Sequence, residues 1–237
     1  MVNAAAHVEV RAQALGVFRP NDVQPAARPG DPLADAACAL IASRQNVSPK
    51  RLVEPGPDEA QLERLFAAAA AAPDHGQLLP WKFVIVPQAK RSLVAEAFAL
   101  ALIDRDPGAT LVQIEAAREK AYRSPLLMLA VLRLVSEREP EIPNVERTVS
   151  LGCAVQNVLL ASHAMGFGAG LTSGRAINAV RMRTLFGLGA DEQAVCFVNI
   201  GTVSKSIAAR VRPSPDQFVT SLCGVRSIES ASPRQAK

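Results

Sequence analysis

Three short stretches of the chain bring together residue types that suit ligand chemistry. In Ser43-Arg44-Gln45-Asn46, Arg44 offers five N–H donors in a planar fork, a shape matched to a phosphate. An arginine at a helix C-terminus also complements the macrodipole, so both readings stand. In Ala72-Pro73-Asp74-His75-Gly76, a helix stops at Pro73 and His75 sits on an accessible polar turn, where its imidazole can hydrogen-bond a ligand. Asp74 reads equally well as a turn former, and His75 as a solvated loop residue. The third stretch is Gly166-Phe167-Gly168-Ala169-Gly170-Leu171-Thr172-Ser173-Gly174. It follows a helix, whereas a dinucleotide fingerprint follows a strand and opens a helix, and it contains no G-x-x-x-x-G-K-[ST]. What remains is a glycine C-cap, then a close-approach backbone with two hydroxyls, Thr172 and Ser173, able to serve a ring carbonyl or nitrogen.

Other chemistries find less support. Cys38, Cys153, Cys196 and Cys223 form no C-x-x-C, and the three histidines are scattered, so no local zinc spacing exists. Reduced thiols are the expectation. Ser–His–Asp hydrolysis lacks a G-x-S-x-G elbow. His163, between Ala161 and Ala164 on a long helix, reads as packed or partly buried. The 237 residues are 49% hydrophobic and 20% charged, which excludes wholesale disorder. A net charge of +4 spread along the chain and only 4% aromatics argue against a nucleic-acid partner. The most apolar stretch, 151–165, carries Gln156, Asn157, Ser162 and His163 and is shorter than the roughly 20 residues of a membrane span. The start has no basic segment followed by an apolar one, so a cytoplasmic protein without a membrane partner is expected.

The elements that must position these stretches are legible in the periodicity. Asp31-Pro32 starts a helix ending near Arg44, and Pro57-Asp58-Glu59 starts another that Pro73 stops. Residues 82–86 read as a strand. Helices follow near 88–102 and 110–121. The apolar run 126–134 suits a strand covered on both faces. A long helix over 143–165 ends on Gly166, a short one covers 177–186, and 194–200 is the last strand. This pattern predicts an α/β or α+β arrangement in three layers. Residues 1–30 read as a partly disordered extension, 31–220 as one domain, and 221–237 as a tail.

Taken in order, these pieces resemble the FMN-dependent nitroreductases. Leu40-Ile41-Ala42-Ser43-Arg44-Gln45 resembles the family's basic N-terminal motif. Ala72-Pro73-Asp74-His75 with Pro80-Trp81-Lys82-Phe83 is similar to the A-P-D-H…P-W-x-F signature of its compact NAD(P)H nitroreductase branch. Gly152-Cys153-Ala154-Val155-Gln156-Asn157, Gly166-Phe167-Gly168 and Phe197-Val198-Asn199-Ile200-Gly201-Thr202 resemble its central helix, the following turn and its last core strand.

The resemblance implies an α+β fold, a mixed central sheet flanked by helices, in an obligate homodimer with FMN sites at the dimer interface. Ser43, Arg44 and Gln45 would lie at the ribityl-phosphate arm, with Lys205 and Arg210 as weaker phosphate candidates. His75 would reach the flavin of the opposite subunit, and Leu171, Thr172 and Ser173 would line the ring side. Ala161, Ser162, His163, Ala164, Met165 and Gly166 would meet the nicotinamide nucleotide. The implied activity is ping-pong hydride transfer from NADH or NADPH through FMN to an electron-poor acceptor such as a nitroaromatic or quinone, with no side chain required as an acid. Enone reduction, desaturation or dehalogenation on the same fold, or flavin binding without catalysis, are the alternatives. The chain departs from the family pattern where Ser43 replaces the first of two adjacent bases, Ala71 replaces a base before A-P-D-H, and Leu171 replaces a bulky aromatic. These losses predict weaker FMN affinity or a changed acceptor range.

Overall fold

A computed structural model describes residues 30–135, 142–205 and 210–222. The expected extension before residue 30, the acidic stretch 137–141 and the tail from Cys223 lie outside the described residues. The chain divides into two compact units, 1–42 and 43–237. In the first unit, helix α1 (Pro32–Ser43, its last residue in the second unit) opens on Asp31, whose carboxylate accepts from Leu33 N at 2.9 Å, and none of its residues is buried.

The second unit is built on a sheet of β1 (Leu52–Val53), β2 (Trp81–Ile85), β3 (Leu126–Arg133), β4 (Gly168–Thr172) and β5 (Glu192–Val203), ordered β1-β5-β3-β2 with β4 also on β5. β1 pairs with Thr202 and Val203 of β5, and β4 with residues 197–201. All four pairings of these strands are antiparallel. The expected mixed character is confined, among the described residues, to one parallel bridge, Asn46 with Ala169.

β3 shows why its sequence is a continuous apolar run. Leu126, Met128, Ala130 and Leu132 face a core shared with α2 (Glu59–Ala70) and α5 (Asn144–Ala164). Leu127, Leu129 and Val131 face the opposite core with α3 (Arg91–Arg105) and α6 (Val180–Phe186), next to α4 (Leu111–Arg118). Successive strand residues point to opposite faces, so a strand with helices on both sides must be apolar throughout. The second unit is therefore three-layered. Local signals end the helices where expected: Asp58 and Gln61 form a capping box at α2, and Gly166, at φ +85°, follows α5. No helix among the described residues is long and apolar enough to cross a membrane.

Candidate functional site

The glycine-rich stretch after α5 is a strand that the sequence did not announce. β4 has glycines at 168 and 170, and the reason at 170 is steric: a Cβ there would sit 2.1 Å from Val47 O. The segment carrying Arg44 runs against β4 at that point. Val47 N donates to Ala169 O at 2.9 Å, and Leu171 N donates to Asn46 Oδ1 at 3.3 Å. Glycine thus allows the Arg44 loop to dock on the sheet edge, and cavities open at the two ends of β4.

The smaller cavity, about 440 Å³, is lined by Arg44, Gln45, His163, Gly166 and Gly168 among others. His163 Nε2 lies 2.8 Å from Ser43 Oγ, tying the end of α5 to the start of the loop. Arg44 is half-buried, and its Nε is buried without a hydrogen-bond partner. Arg212 reaches this loop from the far end of the chain and donates to Arg44 O at 2.6 Å. Burial, and secondarily the positive charge of Arg212, holds the Arg44 guanidinium below its ordinary value. A half-buried cation beside a like charge, with an unpaired donor, calls for an anion.

The larger cavity, about 780 Å³, opens at the other end of β4, where Leu171, Thr172 and Ser173 are exposed along its wall. Both volumes fall in the range of about 300–1,000 Å³ common for small-molecule sites. Asn199, only 2% exposed on β5, anchors this wall. Its Nδ2 donates to Thr172 Oγ1 at 3.1 Å and Gly170 O at 3.3 Å, and its Oδ1 accepts from Ser124 Oγ at 3.0 Å. A buried amide with both ends satisfied fixes the Thr172 hydroxyl in one orientation.

The remaining candidates are placed less centrally. In the 161–166 segment, His163 and Gly166 line the smaller cavity. Ser162 is fully buried and donates back to Val158 O at 2.7 Å, so its hydroxyl is used within the helix. Ala161 O accepts the Met165 N–H at 3.1 Å, while Ala164 is exposed. Lys205 and Arg210 are exposed and line neither cavity; Arg212 is the base that reaches Arg44.

His75, on the turn His75–Gln77, is exposed, with Nδ1 2.7 Å from Glu146 Oε2. Asp74 is the turn former that the sequence allowed, accepting from Leu78 N at 3.1 Å and Leu79 N at 2.7 Å. Glu146 lies in the first turn of α5 and His163 in its last. At 1.5 Å per residue those ends are about 26 Å apart, so His75 is remote from the Arg44 cavity of its own chain. Among the described residues no group of three or more His, Cys, Asp or Glu could hold a metal ion.

Sequence reasoning missed Arg212 and assigned no role to Asn199. Arg212 gave no local signal, being 168 positions from Arg44. Asn199 did: a lone amide inside the apolar run 194–200 must find buried partners.

A family model described as the nitroreductase family matches residues 41–202. The "Putative NAD(P)H nitroreductase" of Haemophilus influenzae is 31% identical over 166 residues, covering 70% of this chain and 88% of its own. The like-named YdjA of Escherichia coli K12 is 32% identical over 188 residues, covering 78% and 98%. Among solved structures, a nitroreductase-like family protein from Bacillus cereus superposes with TM-score 0.69 at 15% identity, covering 86% of this chain and all of its own. A variant of the FMN and NADPH-dependent nitroreductase NfnB from Sphingopyxis sp. strain HMH gives TM-score 0.61 at 18% identity, covering 78% and 98%.

Proposed function

Because the chain belongs to the nitroreductase family, we propose that it binds FMN and transfers hydride from NADH or NADPH to an electron-poor acceptor such as a nitroaromatic or quinone. The observation that carries this reading is the buried, partnerless Nε of Arg44 with Arg212 beside it. That pair of cations fits the cofactor's phosphate, and Arg212 supplies from the C-terminal segment the second base that Ser43 does not. When bound, FMN supplies the two-electron chemistry, taking hydride from the nicotinamide and giving it to the acceptor.

The chain's own residues bind and orient. Arg44 and Arg212 would hold the phosphate, with Gln45 and the Ser43–His163 pair beside it. Thr172 and Ser173 would face the ring, the former held by Asn199. Reduction of a nitro group to nitroso consumes one hydride and one proton and releases water. Solvent delivers that proton, since the larger cavity is open, so no side chain need act as an acid.

The working unit is a homodimer. The separation of about 26 Å along α5 keeps His75 away from the Arg44 cavity of its own chain, so a second copy is what would bring His75 to it. Val145 and Val149 of α5, four residues apart and so on one helix face, are 69% and 61% exposed, as an apolar face awaiting a partner would be.

Purified protein is expected to be yellow and to release FMN on denaturation, and to consume NAD(P)H steadily when an acceptor is added. A colourless protein with no FMN binding in a fluorescence titration would refute the proposal; bound FMN without turnover would leave a flavin-binding protein.

A further inference from the structure

The larger cavity has a feature that cofactor binding does not explain. Its interior is apolar, with Phe98, Leu127, Ile177 and Phe197 on its walls, but its rim carries Arg105, Lys120 and Arg123. None of the three side chains has a hydrogen bond or ion pair with any described residue. Two neighbouring cations are partnered, Arg118 with Glu96 and Glu115, and Arg181 with Asp104, the neighbour of Arg105 in sequence, while Arg175 lines the same cavity as a fourth base. Glu96, Glu115 and Asp104 are thus engaged with other cations, and the side chains of Arg105, Lys120 and Arg123 face the cavity without a carboxylate partner.

The cluster is also held in place. Arg91, 1% exposed, donates to Val86 O at 3.1 Å, Ala121 O at 2.6 Å and Pro125 O at 2.8 Å. Ala121 adjoins Lys120, and Ala121 and Pro125 flank Arg123, so these bonds hold the backbone of the segment that bears both cations. Burial, then Arg123 and Arg105, pushes the Lys120 ammonium below its ordinary value. Like charges confined together favour any anion that enters.

We propose that Arg105, Lys120 and Arg123 select an acceptor that carries a carboxylate beside its electron-poor ring, the ring lying in the apolar interior near Thr172 and the anion at the cationic rim. This rests on the reading that Thr172 and Ser173 face the redox ring, and it specifies the acceptor class for that site.

The test compares 4-nitrobenzoate with its neutral counterpart 4-nitrobenzamide, using wild type, Arg105→Gln and Arg123→Gln. With FMN saturating, wild type should favour the benzoate in kcat/KM. Each variant should lower the benzoate-to-benzamide ratio about tenfold, through KM, as loss of one charge-assisted contact implies. Added salt should erode the wild-type preference. Calorimetric binding of 4-nitrobenzoate to the protein without reductant should weaken in parallel. A ratio unchanged in both variants overturns the proposal. So does loss of FMN affinity with the ratio intact, which would assign the cations to the cofactor's phosphate. A shift in NADPH-over-NADH preference with the acceptor ratio intact would assign them to the nucleotide and overturn it equally. If the protein binds no flavin, calorimetry still decides: benzoate binding that depends on Arg105 and Arg123 upholds the anion site while the oxidoreductase reading falls.

Discussion

Arg44→Ala, read against two flavins that differ by one phosphate, isolates the contact on which the functional reading depends. Arg44 is half-buried, its Nε has no partner, and Arg212 stands beside it. A phosphate placed there gains a charge-assisted hydrogen bond worth about 1.5–3 kcal/mol, which is roughly 10–150-fold in dissociation constant. Riboflavin carries the same ring and ribityl chain without the phosphate. Arg44→Ala should therefore weaken FMN by that factor and change riboflavin affinity by about twofold or less. Arg212→Ala should weaken FMN less, since Arg212 is exposed and more screened. Lys205→Ala should change it least, because Lys205, unlike Arg212, makes no contact with the Arg44 loop. Without flavin the substitution removes an unpaired buried donor and a like-charge neighbour, so stability to urea should stay within about 0.5 kcal/mol of wild type. Flavin fluorescence quenching gives all these constants. Equal losses for FMN and riboflavin would show that Arg44 supports the pocket generally and that the phosphate is held elsewhere.

The shared-site arrangement predicts that mixing His75→Ala subunits with Arg44→Ala subunits gives heterodimers with one doubly defective site and one intact site. Near-normal FMN affinity at about half the sites supports the assignment, whereas uniform single impairment at every site places His75 in its own subunit. Gly170→Ala should misplace the Arg44 loop, because the added Cβ would lie 2.1 Å from Val47 O; a loss of about 2 kcal/mol or more in urea unfolding is expected, with weaker FMN binding, and a variant matching wild type in both would contradict the docking of that loop on β4. For Glu192, burial raises the carboxyl, but the hydrogen bonds from Lys82 and the Gly189 amide outweigh it and the net shift is downward. A depressed folded value means stability present above the unfolded value and lost as pH falls through the folded one, so acid unfolding should show a contribution that Glu192→Gln abolishes; identical pH profiles would dispose of it.

Most of the helices and the two long central strands were legible because their signals are local. Asp31-Pro32, Pro57-Asp58-Glu59, Pro73 and Gly166 act within one turn of chain, and period-2 or period-3.6 apolarity reports which face is buried. The stretches bearing Arg44, His75 and Thr172 stand out by residue type for the same reason. β4 was hidden because its two glycines carry no side chains to show a period. It is a strand because β5 and the Val47 backbone approach it, and neither neighbour is near in sequence. The antiparallel pairing was equally beyond local reading, since strand direction follows from how the intervening helices return the chain.

Tertiary structure alone decided the grouping of charges. Arg212 meets Arg44 across 168 positions, and Arg105, Lys120 and Arg123 converge from a helix end and a turn. Composition records these as scattered bases on a mildly basic chain. Folding turns them into two separate fields, one at each end of β4, because electrostatic energy depends on distance and burial and not on order along the chain.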